Sequence, residues 1–147
     1  MQKLGEIVHL FTSVQGSSDR VAQTCLTLDS HGVLGDKFYA KDIERSVLLT
    51  STDSYALAKL NGISLEHGVL GENILMDGNP YALPMGTHLQ IGSTLLVISQ
   101  PCTICNHLSV FDQQLPKLLK NDRGVFAKVL HEGTIRLGDP ILLLKNS

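Results

Sequence analysis

The sequence predicts a mostly β, barrel-like fold with two or so short helices. Three observations carry that expectation. Short apolar and β-branched runs recur between turn signals, only two segments have a helical pattern, and no repeat, linker or low-complexity tract divides the 147 residues. With 43% apolar residues, the chain suits one compact domain spanning residues 1–147, a size that buries about two-thirds of the unfolded surface.

The runs fall at residues 5–12, 21–28, 45–50, 69–76, 87–91, 94–99, 125–130 and 140–144. In the second of them Cys25 reads as a small buried hydrophobe. After the third, Ser51 to Gly62 offers hydroxyl caps, good helix formers and a terminal glycine, which predicts a helix. In the fourth, Gly71-Glu72-Asn73 interrupts an apolar strand. A carboxylate and an amide buried there need hydrogen-bond partners, from the backbone or from a ligand. Gly92-Ser93, between Leu89-Gln90-Ile91 and Thr94-Leu95-Leu96, has the glycine-first order of a type II′ hairpin. Asp112 to Asn121 carries a weaker helical signal in which Pro116 is tolerable only within the first turn. Glu132-Gly133 and Gly138-Asp139 mark the last reversals.

Composition narrows the function. Net charge is −2 and the twelve Lys and Arg residues are scattered, so neither nucleic acid nor an anionic membrane is an expected partner. Glu6 breaks the N-terminal region before any long apolar stretch, and no segment approaches the roughly 18 apolar residues of a membrane span. Three cysteines are odd in number and too few for a disulfide framework, which favours reduced thiols and a cytoplasmic location.

Chemistry concentrates at Gln100-Pro101-Cys102-Thr103-Ile104-Cys105-Asn106-His107-Leu108, where two thiols follow the apolar run Leu95-Leu96-Val97-Ile98 at its end. Thiolate is the form of cysteine that attacks, carries sulfur or binds metal, so the pair is a candidate reactive centre. Cys-x-x-Cys also serves redox pairs and zinc sites. A thioredoxin-like motif would fall early in an α/β pattern, and zinc lacks ligands here, since His107 is near but His9, His31, His67, His88 and His131 are isolated. Two inert thiols filling space remain the bland reading. A second feature, His31-Gly32-Val33-Leu34-Gly35-Asp36-Lys37-Phe38, is either an ordinary loop or a glycine turn whose N–H groups and lysine hold an anion.

Taken in order, Gly-x-x-Gly-Asp-Lys, Gly-Glu-Asn and Gln-Pro-x-x-x-Cys resemble the MOSC domain family, named after the C-terminal domain of molybdenum cofactor sulfurase. The similarity extends through Arg45-Ser46-Val47-Leu48-Leu49, the strand pair around Gly92, and Arg123-Gly124-Val125-Phe126-Ala127-Lys128-Val129-Leu130 with Gly138-Asp139, about residues 5 to 145. The resemblance implies a β-barrel-like fold that handles molybdenum cofactor (molybdopterin), held stably or transiently, or sulfur destined for metal-sulfur centres. It places the family's cysteine, a persulfide carrier or molybdenum ligand, on Cys105, with Cys102 as a second thiol. It implies cofactor contacts from Gly35, Asp36, Lys37, Thr50, Gly71, Glu72 and Asn73. Two departures stand out: Cys102 occupies a position where the family often has Arg, and Phe38 one where it commonly has His. The first removes a cation and supplies a thiol that could resolve a persulfide; the second removes a titratable ring. Implied partners are a cysteine desulfurase, a molybdoenzyme, or an electron-donor protein. Members that reduce N-hydroxylated substrates usually carry an additional N-terminal β-barrel, and pyridoxal phosphate chemistry belongs to a separate sulfurase domain; neither is in this sequence. The leading expectation is cofactor binding or sulfur carriage. The alternatives are a small molybdenum-dependent reductase of N-hydroxylated bases or amidoximes and a zinc- or disulfide-stabilised interaction module.

Overall fold

A computed structural model of the chain describes residues 2–17, 19–102, 108–109 and 111–144. The N-terminal strand β1 (Gln2–Ser13) is the organising element, because its twelve residues pair in turn with three partners. Its first half runs antiparallel to β11 (Pro140–Leu143), its middle to β6 (Ile74–Met76), and its last four residues to β2 (Arg20–Gln23). Bulges between Lys3 and Gly5 and between Ile7 and His9 let one strand bend across all three.

The β1–β11 pairing closes a seven-stranded barrel. Going round from β1, the order is β6, β5 (Val47–Ser51), β9 (Val125–His131), β8 (Thr94–Pro101), β7 (His88–Ile91) and β11. All neighbours are antiparallel except β5 and β6. A parallel pair needs a crossover, and here it contains α1 (Thr52–Leu60). A three-stranded sheet of β10 (Gly133–Arg136), β3 (Cys25–Asp29) and β4 (Gly32–Val33) packs against the barrel. Its Leu26, Leu28, Val33 and Ile135 join one core cluster with Leu10, Leu49, Ile74, Leu96, Ile98 and Ala127 of the barrel. A second cluster of Tyr55, Ala58, Ile63, Leu70, Leu75, Leu108, Leu115 and Leu119 gathers α1 and α2 (Leu115–Leu118) on the outside.

The first helix begins where the sequence places it, and the second begins at Leu115, three residues after the start of the signal at Asp112. Ser51 caps α1, accepting from the Asp53 N–H at 3.0 Å, and Gly62 follows it with φ +78°. Pro116 lies in the first turn of α2, which shrinks to four residues. Gly92, at φ +54°, turns β7 into β8 with Ile91 opposite Thr94.

Three expectations are corrected. The run at 21–28 is two strands in two sheets, since β2 pairs with β1 and β3 with β10. Cys25 is exposed: alternation along β3 turns Leu26 and Leu28 inward, and Cys25 and Thr27 outward. The run at 69–76 becomes a strand only from Ile74, because Gly68 and Gly71 adopt φ +97° and +89° and turn the backbone before it. No helix among the described residues is long and apolar enough to cross a membrane.

Gly124, just before β9, lies tight against β5. A Cβ there would meet Leu48 Cδ1 and Leu49 O at 2.9 Å and Thr50 Oγ1 at 3.0 Å. Gly124→Ala is expected to lower stability by about 1–3 kcal/mol in urea unfolding, as overpacking of a tight core does. An unchanged midpoint would refute that contact.

Candidate functional site

At one end of the barrel a cavity of about 380 Å³ opens between loops and strand ends. It is lined by Arg20 of β2, by Phe38, Lys41, Asp42, Arg45 and Ser46 from the connection between β4 and β5, and by Leu48 of β5. Gly71 and Asn73 before β6, Cys102 after β8, Arg123 before β9 and Phe126 within it complete the lining. Four cations face one acid. Asp42 is exposed and lies 3.9 Å from Arg45 Nε, too far for a strong pair, so the cavity keeps a positive field.

Two of the cations converge on Gly71. A Cβ on that residue would lie 3.3 Å from Arg20 Nη2 and 3.6 Å from Arg123 Nη2, so glycine both permits the positive φ and leaves room for two guanidinium ends. Arg123 is only 5% exposed. Its Nε and Nη2 donate to Leu70 O at 3.2 and 3.0 Å, and its carbonyl accepts from Thr50 Oγ1 at 2.9 Å. Thr50, itself fully buried, therefore positions an arginine from beneath the cavity surface.

Asp36 and Asn73 are buried and bonded to each other's surroundings. Asn73 Oδ1 accepts from the Leu48 N–H at 3.1 Å, and Nδ2 donates to Phe11 O at 3.2 Å and lies 3.4 Å from Asp36 Oδ1. Asp36 accepts from the N–H groups of Ser13 and Phe38 at 2.6 and 3.1 Å. The Phe38 ring is thereby aimed at the cavity with half its surface exposed. Lys37 is turned away: its Nζ donates to Ser17 O at 2.5 Å and lies 5.1 Å from the Phe38 ring centre. Gly35, φ +84°, lines a separate hollow with Thr12, Gln23, Cys25 and Leu34.

Glu72 points away from solvent and is fully buried. Its Oε2 accepts from Tyr55 Oη at 2.5 Å and from the Gly68 N–H at 3.2 Å, while Oε1 has no hydrogen-bond partner among the described residues. Burial pushes its pKa above the usual carboxylate range, against the opposing pull of the Tyr55 hydrogen bond and of Arg20. Burial, and then the Glu72 charge, raise Tyr55 as well.

Cys102 is buried in the cavity wall, its N–H donating to Gly124 O at 2.9 Å. Cys105 lies outside the described residues. Of the residues the sequence singled out, the cavity gathers Gly71, Asn73 and Cys102, with Glu72 and Thr50 behind its wall. The cations Arg20, Lys41, Arg45 and Arg123, with Phe126, were not among the expected site residues. Arg45 and Arg123 fall inside segments that carry the family resemblance and were readable there. Arg20 reaches the cavity through the pairing of β1 with β2, for which no local pattern speaks.

Comparison with known proteins decides the family. A model of the MOSC domain matches residues 18–142. The chain belongs to the MOSC domain family. Among solved structures, the YuaD protein from Bacillus subtilis superposes with a TM-score of 0.77 at 17% identity, covering 93% of each chain. YiiM from Geobacillus stearothermophilus gives 0.71 at 19% identity over 98% of this chain and 75% of its own, and YiiM from Escherichia coli 0.66 at 19% over 95% and 70%. At such identities the likeness concerns the MOSC fold. Among curated proteins, none matches.

Two expectations follow for this MOSC domain. Asn73→Ala leaves the Leu48 N–H and Phe11 carbonyl without their side-chain partner, at about 2–4 kcal/mol in denaturant unfolding; a loss below about 0.5 kcal/mol would deny Asn73 this role. Because Glu72 holds its proton in the folded state at pH values where the unfolded chain releases it, stability should fall as pH rises from about 4 through the raised folded value. Glu72→Gln should remove that decline, so the variant gains on the wild type with rising pH when midpoints are compared between pH 4 and 8. Parallel curves would refute it.

Proposed function

We propose that this MOSC domain binds molybdenum cofactor, or carries sulfur for it, in the Arg20–Arg123 cavity, with Cys105 as the working thiol. The observation that supports the reading most is the donor set: guanidinium groups over an open glycine, aromatic walls and a thiol around one cavity. Its volume lies within the range of about 300–1,000 Å³ typical of small-molecule sites. Molybdenum cofactor carries a terminal phosphate, a flat ring system and a dithiolene-bound metal. Arginine pairs suit the phosphate, Phe38 and Phe126 suit the ring, and a soft thiolate suits the metal.

Arg20 and Arg123 would hold the anionic end, with Thr50 keeping Arg123 in place. The cation lost where Cys102 replaces the family's Arg would be made good by Arg20, which reaches the same cavity from β2. When bound, the cofactor supplies a metal centre able to pass electrons or an oxygen atom. As a sulfur carrier the chain needs no metal: the Cys105 thiolate takes the outer sulfur of a donor persulfide, and the donor leaves as a thiolate. Cys102 is proposed as a second thiol for either chemistry. A cysteine desulfurase, a molybdoenzyme or an electron-donor protein would be the partner, in the cytoplasm.

The test is elemental analysis and intact mass of protein purified anaerobically from a host that makes the cofactor, compared with Cys105→Ser and Arg20→Gln. Near-stoichiometric molybdenum in the wild type, lost in Cys105→Ser and reduced at least about tenfold in affinity by Arg20→Gln, is expected for cofactor binding. An added sulfur on Cys105 without metal is expected for the carrier. Wild type and both variants alike, with neither molybdenum nor added sulfur, would sink the reading. The metal-loaded sample, given a reductant and an N-hydroxylated purine, tests for reductase turnover.

A further inference from the structure

Glu72 lies between two residues of the cavity wall, Gly71 and Asn73, yet its carboxyl is turned into the protein. The groups that face it are Tyr55 of α1, through the 2.5 Å hydrogen bond, the Gly68 N–H, and Arg20 of β2 through its charge. Tyr81, from the segment between β6 and β7, feels the Glu72 charge and is raised to about 12, chiefly by burial. His67 packs edge-on against the Tyr55 ring at 4.8 Å and meets His9 of β1 at 5.0 Å.

Arg20 is therefore shared between two sites. Its guanidinium end lies over Gly71, the residue next to Glu72, and its charge adds to the Tyr55 and Gly68 hydrogen bonds in favouring an ionised Glu72. An ionised Glu72 would leave Oε1, buried without a hydrogen bond among the described residues, dependent on that charge; a neutral carboxyl would not. An oxyanion at the cavity draws on the same guanidinium. The two negative charges then compete for one cation across a low-dielectric wall, where like charges repel strongly.

We propose that Glu72 is a proton-linked positioning residue of the cavity: an oxyanion arriving between Arg20 and Arg123 takes over the Arg20 charge, and Glu72 takes up a proton as the anion binds. The inference rests on the reading of the cavity as an anion site. One proton moves from the buffer to the carboxylate, the oxyanion enters unchanged, and no other bond is made or broken. Affinity is then highest at low pH, where Glu72 is already neutral. It falls as pH rises through the Glu72 value of the empty cavity, by up to about tenfold per pH unit, and levels off above the higher value Glu72 has with the anion bound.

Sulfate is the probe, because it is a tetrahedral dianion that does not itself titrate between pH 5 and 9. Isothermal titration calorimetry of the full chain at low ionic strength, in pairs of buffers with different ionisation enthalpies, counts protons taken up on binding. The wild type should take up a fraction of a proton, at most one, with affinity falling as pH rises. Glu72→Gln, which keeps an acceptor for Tyr55 and Gly68, should bind with no uptake and a flat pH profile. His67→Gln should retain the linkage. Uptake that persists in Glu72→Gln, uptake abolished by His67→Gln, or wild-type binding with no uptake at any pH would each overturn the inference while leaving the anion site standing. No sulfate binding by the wild type would overturn both. Should Glu72→Gln fail to fold, Arg20→Gln serves in its place: residual binding to Arg123 without proton uptake supports the coupling, and undiminished uptake refutes it.

Discussion

The wall of the cavity formed by the β4–β5 connection depends on the buried contact between Asn73 and Asp36. Asn73 is a three-way junction: one amide group touches β5 at Leu48, β1 at Phe11 and the β4–β5 connection at Asp36. Asp36 in turn ties that connection to the end of β1 at Ser13. Long connections carry backbone groups that the sheet ladder leaves unmatched, and burying them demands partners from side chains. One amide and one carboxylate meet that demand where two walls of the cavity join. The connection that presents Phe38, Lys41 and Arg45 is thus anchored at its root while its tip stays exposed.

The charge arrangement follows from that scaffold. Arg123 is buried because its guanidinium replaces water with the Leu70 carbonyl, and because Thr50 fixes the backbone from which it projects. A second arginine from β2 meets it across a glycine with no side chain to intervene. Like charges brought together in a partly desolvated cleft repel unless an anion balances them, and the nearby Glu72 carboxyl is held towards its neutral form by burial. The arrangement has the character of a site built around negative charge, in a chain whose net charge of −2 gives no hint of it.

Much of the barrel was legible because strands and turns are local. The Gly92-Ser93 hairpin, the capped helix at Ser51 and the short helix at Pro116 each follow from a few adjacent residues. What escaped was decided by pairing at a distance. Cys25 looks like core until the partner of β3 is known, and β4 and β10 are too short to register as patterns. Gly71-Glu72-Asn73 read as a strand with a polar break, and the positive φ of Gly71 makes it a turn ahead of one. The cavity divides the same way. Gly71, Asn73 and Cys102 stand inside recognisable motifs, whereas Arg20 and Lys41 belong to it only because β2 and the β4–β5 connection fold over it.

The route of β1 bears on how the molecule folds. Its first residues pair with β11, near the other end of the sequence, its middle with β6 and its last with β2. Contacts so distant in sequence make loop closure slow relative to helical bundles of similar size. During synthesis the hairpin with β2 can form early and the middle can pair once Ile74–Met76 emerge, but Gln2 to Glu6 must wait until Pro140–Leu143 emerge. For that interval the segment is an uncovered β edge, and Lys3 and Glu6 within it are charged residues of the kind that blunts such an edge against pairing with other chains. The strand that unites the finished barrel is thus also the one that nascent copies must keep from each other.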